Sequence, residues 1–117
     1  MWSNKIESLR DFVVCECRDI PPDLVLAIIR HESGGIIGVR GKGKIRSPGI
    51  LRDVNGNAHK IDVALGLMQC IPAVINGYNS GAPAAETATL EDMTGNDDRA
   101  ARLQIRIGCN LNNFNLI

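Results

Sequence analysis

Residues 20–35 constrain this chain more than any other stretch. Ile20-Pro21-Pro22 and Gly34-Gly35 bracket the segment Asp-Leu-Val-Leu-Ala-Ile-Ile-Arg-His-Glu-Ser, residues 23–33. A proline cannot donate to a preceding turn, so a helix must begin here rather than pass through; Pro22 suits its first turn and the glycine pair stops it. The segment is apolar on every side until its last turn, as expected of a buried core helix whose end reaches the surface. Leu24, Ile28 and Glu32 are spaced four apart and share one face. A carboxyl against an apolar wall, at the negative end of a helix, is disfavoured in its charged form, which is what a general acid requires. The competing reading is a glutamate that ends a helix and faces water.

The remaining elements follow from periodicity and punctuation. A first helix is predicted from about Asn4 to Arg18, with Asn4 and Glu7 as a capping pair and Ile6, Leu9, Val13 and Cys17 as its apolar stripe. Residues 36–49 are glycine-rich and basic and read as loop. Ile50–Val54 and Asn57–Asp62 flank Asn55-Gly56, the signal for a hairpin with a type I′ turn. A third helix is predicted from Leu65 to just before Asn76-Gly77, then a loop over 77–88 and a short helix around Leu90. The last helix is predicted from Asn96 or Asp97, with the stripe Leu103, Ile107, Leu111 and Phe114. Together these predict an α+β chain, mainly α, with one small hairpin, and the 117 residues fit a single domain spanning 1–117. No internal repeat is visible, and no apolar run is long enough for a membrane span.

Charge and composition exclude several functions. Lysine plus arginine and aspartate plus glutamate each number 13, which argues against a dedicated nucleic-acid binder. The neutral total conceals an asymmetry: Arg40, Lys42, Lys44, Arg46 and Arg52 fall in the middle of the chain, while Glu86, Glu91, Asp92, Asp97 and Asp98 cluster later. The alternation of Arg40, Lys42, Lys44 and Arg46 would put all four on one side of an extended segment, able to meet carboxylates. Gly38–Lys44 fits a phosphate-loop spacing, but Ile45 replaces the Ser or Thr that would hold magnesium, and no strand is predicted before it. His31-Glu32 opens a zinc-protease pattern, but Gly35 stands where its second histidine should be. His59 is the other histidine and reads as a solvated hairpin residue. No metal and no cofactor are expected. Four cysteines (Cys15, Cys17, Cys70, Cys109) lack Cys-x-x-Cys spacing, and reduced, buried thiols are expected.

Three segments carry a resemblance. Asp23–Gly35 resembles the catalytic helix of the soluble lytic transglycosylases, a family related to the goose-type lysozymes. Ala64-Leu65-Gly66-Leu67-Met68-Gln69-Cys70-Ile71-Pro72 resembles that family's Gly-Leu-Met-Gln-x-x-Pro segment. Asp97–Leu111, with Ile105-Arg106-Ile107-Gly108 inside it, is similar to the helix that follows. The three occur in the family's order and span most of the chain.

The resemblance implies a lysozyme-like fold, with the hairpin between the catalytic helix and the Gly-Leu-Met-Gln segment. It implies cleavage of the β-1,4 bond between N-acetylmuramic acid and N-acetylglucosamine in peptidoglycan, with the glycan strand as partner, no nucleic acid, and a monomer. By matching position, Glu32 is the acid and then the base. Ser33 either touches the sugar or caps its own helix; Met68 and Gln69 line the cleft, or Met68 fills the core. Tyr78 either approaches the site or is structural.

The chain departs from the pattern in two ways. The family's Tyr-Asn-Ala-Gly motif does not follow the third segment, and Tyr78-Asn79-Ser80-Gly81, which looks like it, comes earlier and reads as coincidence. The interval before Gly66 is also long. It carries Asp53 and Asp62, and an inverting muramidase would need one of them as base roughly 6.5–9.5 Å from the acid. A non-catalytic wall-binding or virion domain is the reading from another class. Without an export signal, release from a phage or residence in a larger exported protein is expected. Aromatic residues are only 3%, so hydrogen bonds rather than ring stacking must hold any sugar.

Overall fold

In a computed structural model, residues 2–110 are described. They form six α-helices and one two-stranded antiparallel sheet: α1 (Asn4–Glu7), α2 (Arg10–Glu16), α3 (Pro22–Ser33), β1 (Gly49–Arg52), β2 (Ala58–Ile61), α4 (Pro72–Gly81), α5 (Leu90–Thr94) and α6 (Asp98–Asn110). The chain is α+β and mainly helical. All these helices and both strands contribute to one apolar core.

The helix bracketed by proline and glycine forms where the sequence predicts it. Pro22 occupies its first turn, and Gly34, left-handed at φ 64°, closes it by donating its N–H to the Arg30 carbonyl. Val25, Leu26 and Ile29 are fully buried, so this side of α3 lies in the core.

The predicted first helix is broken in two. Its cap is Ser3, whose hydroxyl accepts from the Ile6 N–H, rather than the expected Asn4–Glu7 pair. At Ser8 and Leu9 the backbone tightens, and Leu9 N–H bonds the Ile6 carbonyl. The stripe nevertheless holds: Ile6, Leu9, Val13 and Cys17 are all buried.

Two further expectations are corrected. The stretch from Leu65 to Cys70 is a turn rather than a helix, and α4 starts at Pro72 and runs through Asn76-Gly77 into the region expected to be loop. Pro72 at the first helical position is the true start signal. Cys17 and Cys109 form a disulfide between the end of α2 and α6, so only Cys15 and Cys70 are free, and Cys15 is exposed. The bridge closes a loop with a sequence separation of 92 residues. Reducing it should lower stability by about 4–5 kcal/mol through the freed unfolded chain. Urea unfolding with and without a thiol reductant measures this, and identical midpoints would refute it.

The hairpin pairs Gly49 with Ile61 and Arg52 with Ala58, leaving residues 53–57 as its loop. This is not the two-residue type I′ turn expected from Asn55-Gly56. Gly56 donates to the Asp53 carbonyl and takes φ 83°, the arrangement of a type I turn followed by a left-handed bulge. Asp53 selects it: one carboxylate oxygen accepts both the Asn55 and Asn57 N–H groups at 2.9 Å. Leu51 and Ile61 point into the core, and the Asn76 amide donates to the Ile50 carbonyl at 2.7 Å, docking the hairpin on α4.

The last helix is capped by Asp97, whose carboxylate accepts the Ala100 N–H at 2.8 Å. Leu103 and Ile107 of its predicted stripe are buried; Leu111 and Phe114 lie outside the described residues.

Candidate active site

Glu32 stands in the last turn of α3, one residue before the buried Ser33. Its side chain is exposed, which corrects the expectation of an apolar wall around it. The reason is how α3 is rotated in the core. Val25, Leu26, Ile29 and Ser33 form the buried side, so the face shared by Leu24, Ile28 and Glu32 turns outward, with Leu24 42% exposed. Ser33 makes no free contact surface. Its hydroxyl donates to the Ile29 carbonyl at 3.0 Å and accepts the Gly35 N–H at 3.2 Å, so it locks the helix end that presents Glu32.

The second motif forms a turn from Leu65 to Cys70. Leu65 and Cys70 exchange both backbone hydrogen bonds at 2.9 Å, which closes the loop between them. Two residues in it take left-handed backbone: Gly66 at φ 85° and Gln69 at φ 50°. Gln69 is the one non-glycine residue with positive φ among the described residues, a conformation that costs of order 1 kcal/mol. Its side chain offsets that cost locally, donating to the Val39 carbonyl at 3.2 Å and the Gly66 carbonyl at 3.0 Å. The Gln69 amide expected to hold sugar is therefore committed to backbone and shapes the turn instead.

Burial pushes the Cys70 thiol up to about 12, and the negative charge of Glu32 acts on it in the same direction. The charge of Glu32 thus reaches the turn that carries the second motif. The third motif supports that turn from behind. Met68 is buried against α6 at Gly108, where a β-carbon would lie 2.3 Å from the Met68 sulfur. Met68 fills the core rather than lining a cleft.

The strongest support was missed in the sequence. Gln104 of α6 is wholly buried. Its carbonyl oxygen accepts the Gly38 and Leu67 N–H groups, each at 3.0 Å, and its amide donates to the carbonyls of Asp92 (2.9 Å) and Gly95 (3.2 Å). One side chain thereby holds the loop after Glu32, the Gly66–Gln69 turn and the end of α5 together. The signal was a polar residue inside the most apolar part of α6, between Leu103 and Ile105.

Tyr78 belongs to a different place. Its hydroxyl donates to the Glu86 carbonyl at 3.1 Å and accepts from Arg106 at 3.4 Å, and Arg106 also pairs with Glu16 at 2.7 Å. It lines a cavity of about 450 Å³ with Glu86 and Arg106. A larger cavity, about 650 Å³, lies between β1 and α4, beside Ile50, Asn76 and Thr89. Glu32 lines neither.

The two carboxylates considered as a second catalytic group differ. Asp53 is engaged at both oxygens: the second meets His59 Nε2 at 2.8 Å, while the first takes the two loop amides. These bonds hold its carboxyl well below the ordinary range, at about 2, with the His59 contact the largest cause, which makes it a poor base. Asp62 lies 3.8 Å from Lys44 on the surface. Because the Asp53 value is depressed on folding, its stabilising effect is present above pH ~4 and is lost as pH falls towards 2. The Asp53 carboxyl carbon and the Asn55 and Asn57 amides should co-titrate at about pH 2 by NMR. Titration near pH 4 would refute the arrangement.

No group of three or more histidine, cysteine or acidic side chains able to hold a metal occurs among the described residues. No described helix is long and apolar enough to cross a membrane. No protein-family model matches the chain, and no match was found among curated proteins or solved structures.

Proposed function

We propose that the chain is a lysozyme-like lytic transglycosylase that cleaves the β-1,4 bond between N-acetylmuramic acid and N-acetylglucosamine in peptidoglycan. The observation that carries this reading is that the loop following Glu32 is bonded to the Leu65–Cys70 turn, through Gln104 at Gly38 and Leu67 and through Val39 at Gly66, with the Glu32 charge reaching Cys70. Two segments far apart in sequence, each resembling a transglycosylase motif, share one corner of the molecule.

In the proposed reaction Glu32 gives its proton to the glycosidic oxygen as the bond to C1 of the muramoyl residue breaks. The muramoyl 6-hydroxyl oxygen then bonds to C1, and its proton returns to the Glu32 carboxylate. The product ends in a 1,6-anhydro ring, and no water is consumed. Exposure of Glu32 in the free protein is compatible with this role, because a glycan laid over Leu24, Ile28 and Glu32 would itself exclude water from the carboxyl. Hydrolysis would require a second carboxylate as base, and the hydrogen bonds around Asp53 disfavour it in that part. A disulfide linking α2 to α6 suits a protein that works in oxidising surroundings, where peptidoglycan lies.

The test is mass spectrometry of the fragments released from purified sacculi. Anhydro-muramoyl ends are expected. Reducing ends would replace this reading by hydrolysis, and no released fragments would favour a wall-binding or structural role.

A further inference from the structure

We infer that the basic segment 40–46 is a docking strip for the carboxylates of the peptides carried by the glycan strand. This rests on the proposed function and adds to it a second part of the substrate. The segment is tied to the site by its backbone. Arg40 pairs with Leu65, Gly41 donates to the Ala64 carbonyl and Ile45 to the Asp62 carbonyl, both at 2.8 Å, and the Val39 carbonyl accepts the Gly66 N–H and the Gln69 amide. A β-carbon on Gly41 would sit 2.7 Å from the Gln69 side-chain oxygen, so the strip rests directly on the turn that carries Gln69.

Two bends interrupt the extended course expected from alternation, yet Arg40, Lys42, Lys44 and Arg46 are all exposed. Three arginines elsewhere are paired with carboxylates, Arg10 with Glu7 and Asp23, Arg99 with Asp92 and Arg106 with Glu16, while Arg30, Arg52 and Arg102 stand singly and bond a ring or a carbonyl. Here the side chains of Arg40, Lys42 and Arg46 make no hydrogen bond or ion pair among the described residues, and Lys44 only a loose one with Asp62 at 3.8 Å. In a chain of zero net charge, a local run of uncompensated cations beside a candidate glycosidase site fits a polymer with negative charges along it. Peptide-bearing glycan is such a polymer, and it loses that charge when its carboxylates are converted to amides.

The experiment uses Glu32→Gln protein, so that binding is read without cleavage. It is co-sedimented with purified sacculi and with sacculi whose carboxylates have been converted to amides by a carbodiimide and ammonia. Removing the charges with R40Q/K42Q/R46Q should weaken binding to intact sacculi roughly tenfold and flatten its salt dependence. Amidated sacculi should hold both proteins equally and weakly, and R40K/K42R/R46K should restore the parent's affinity. Equal binding of the parent and the glutamine triple variant to intact sacculi would overturn the inference. So would tighter binding of the parent to a DNA duplex than to sacculi at the same salt. Glu32-dependent cleavage with charge-independent binding would sink the strip and leave the proposed reaction standing; charge-dependent binding without cleavage would do the reverse.

Discussion

Replacing Glu32 with glutamine should lower the rate at which sacculi are solubilised by roughly a thousandfold. General acid–base assistance contributes about 10²–10⁴ in rate, and here one group serves in both directions. Glutamine keeps the length and hydrogen-bonding capacity of the side chain but can neither release nor accept the proton that moves. The substitution should leave the fold intact, because Glu32 is exposed and its helix end is held by Ser33 and Gly34 instead. Stability within about 0.5 kcal/mol of the parent is therefore expected in the same preparation. A Glu32→Gln protein that solubilises sacculi at the parental rate would remove the carboxyl from the chemistry.

The second large effect falls on stability. Gln104→Met preserves length and apolar packing but removes every hydrogen bond at the centre of the α5–α6 corner. The Gly38 and Leu67 N–H groups and the Asp92 and Gly95 carbonyls would each lose the partner they have in Gln104. Unsatisfied buried polar groups cost about 1–3 kcal/mol each, so a loss of about 4–5 kcal/mol is expected even after some relaxation. That is a large part of the total stability of an ordinary domain. Gly66 leaves no room for compensation, since a β-carbon there would already lie 2.9 Å from the Gln104 side chain. Urea unfolding measures the change. A Gln104→Met protein within about 1 kcal/mol of the parent would show that the amide is not the keystone of this corner.

What could be read in advance divides along physical lines. The helix carrying Glu32 was legible because proline and glycine fix its two ends by local sterics, independent of any tertiary contact. The Gly66–Cys70 turn was not. A short apolar run such as Leu-Gly-Leu-Met fits a buried helix and a buried turn equally well, and only the left-handed backbone at Gly66 and Gln69 decides between them. The exposure of Glu32 depended on how α3 is rotated in the core, which no period within the helix reveals. The pairing of Cys17 with Cys109 depended on the register of α2 against α6. Asp53 shows the same limit on a smaller scale: Asn55-Gly56 announced a hairpin, but the carboxylate two residues earlier chose the turn.

The bond between Cys17 and Cys109 has a bearing on how the protein withstands proteases. Every element from α3 to the end of α5 lies between the two joined positions. A protease cutting the lysine- and arginine-rich stretch at Lys42 or Lys44 would leave the two pieces attached to each other. Trypsin-nicked protein should migrate as one species on a non-reducing gel and separate into two bands only after reduction.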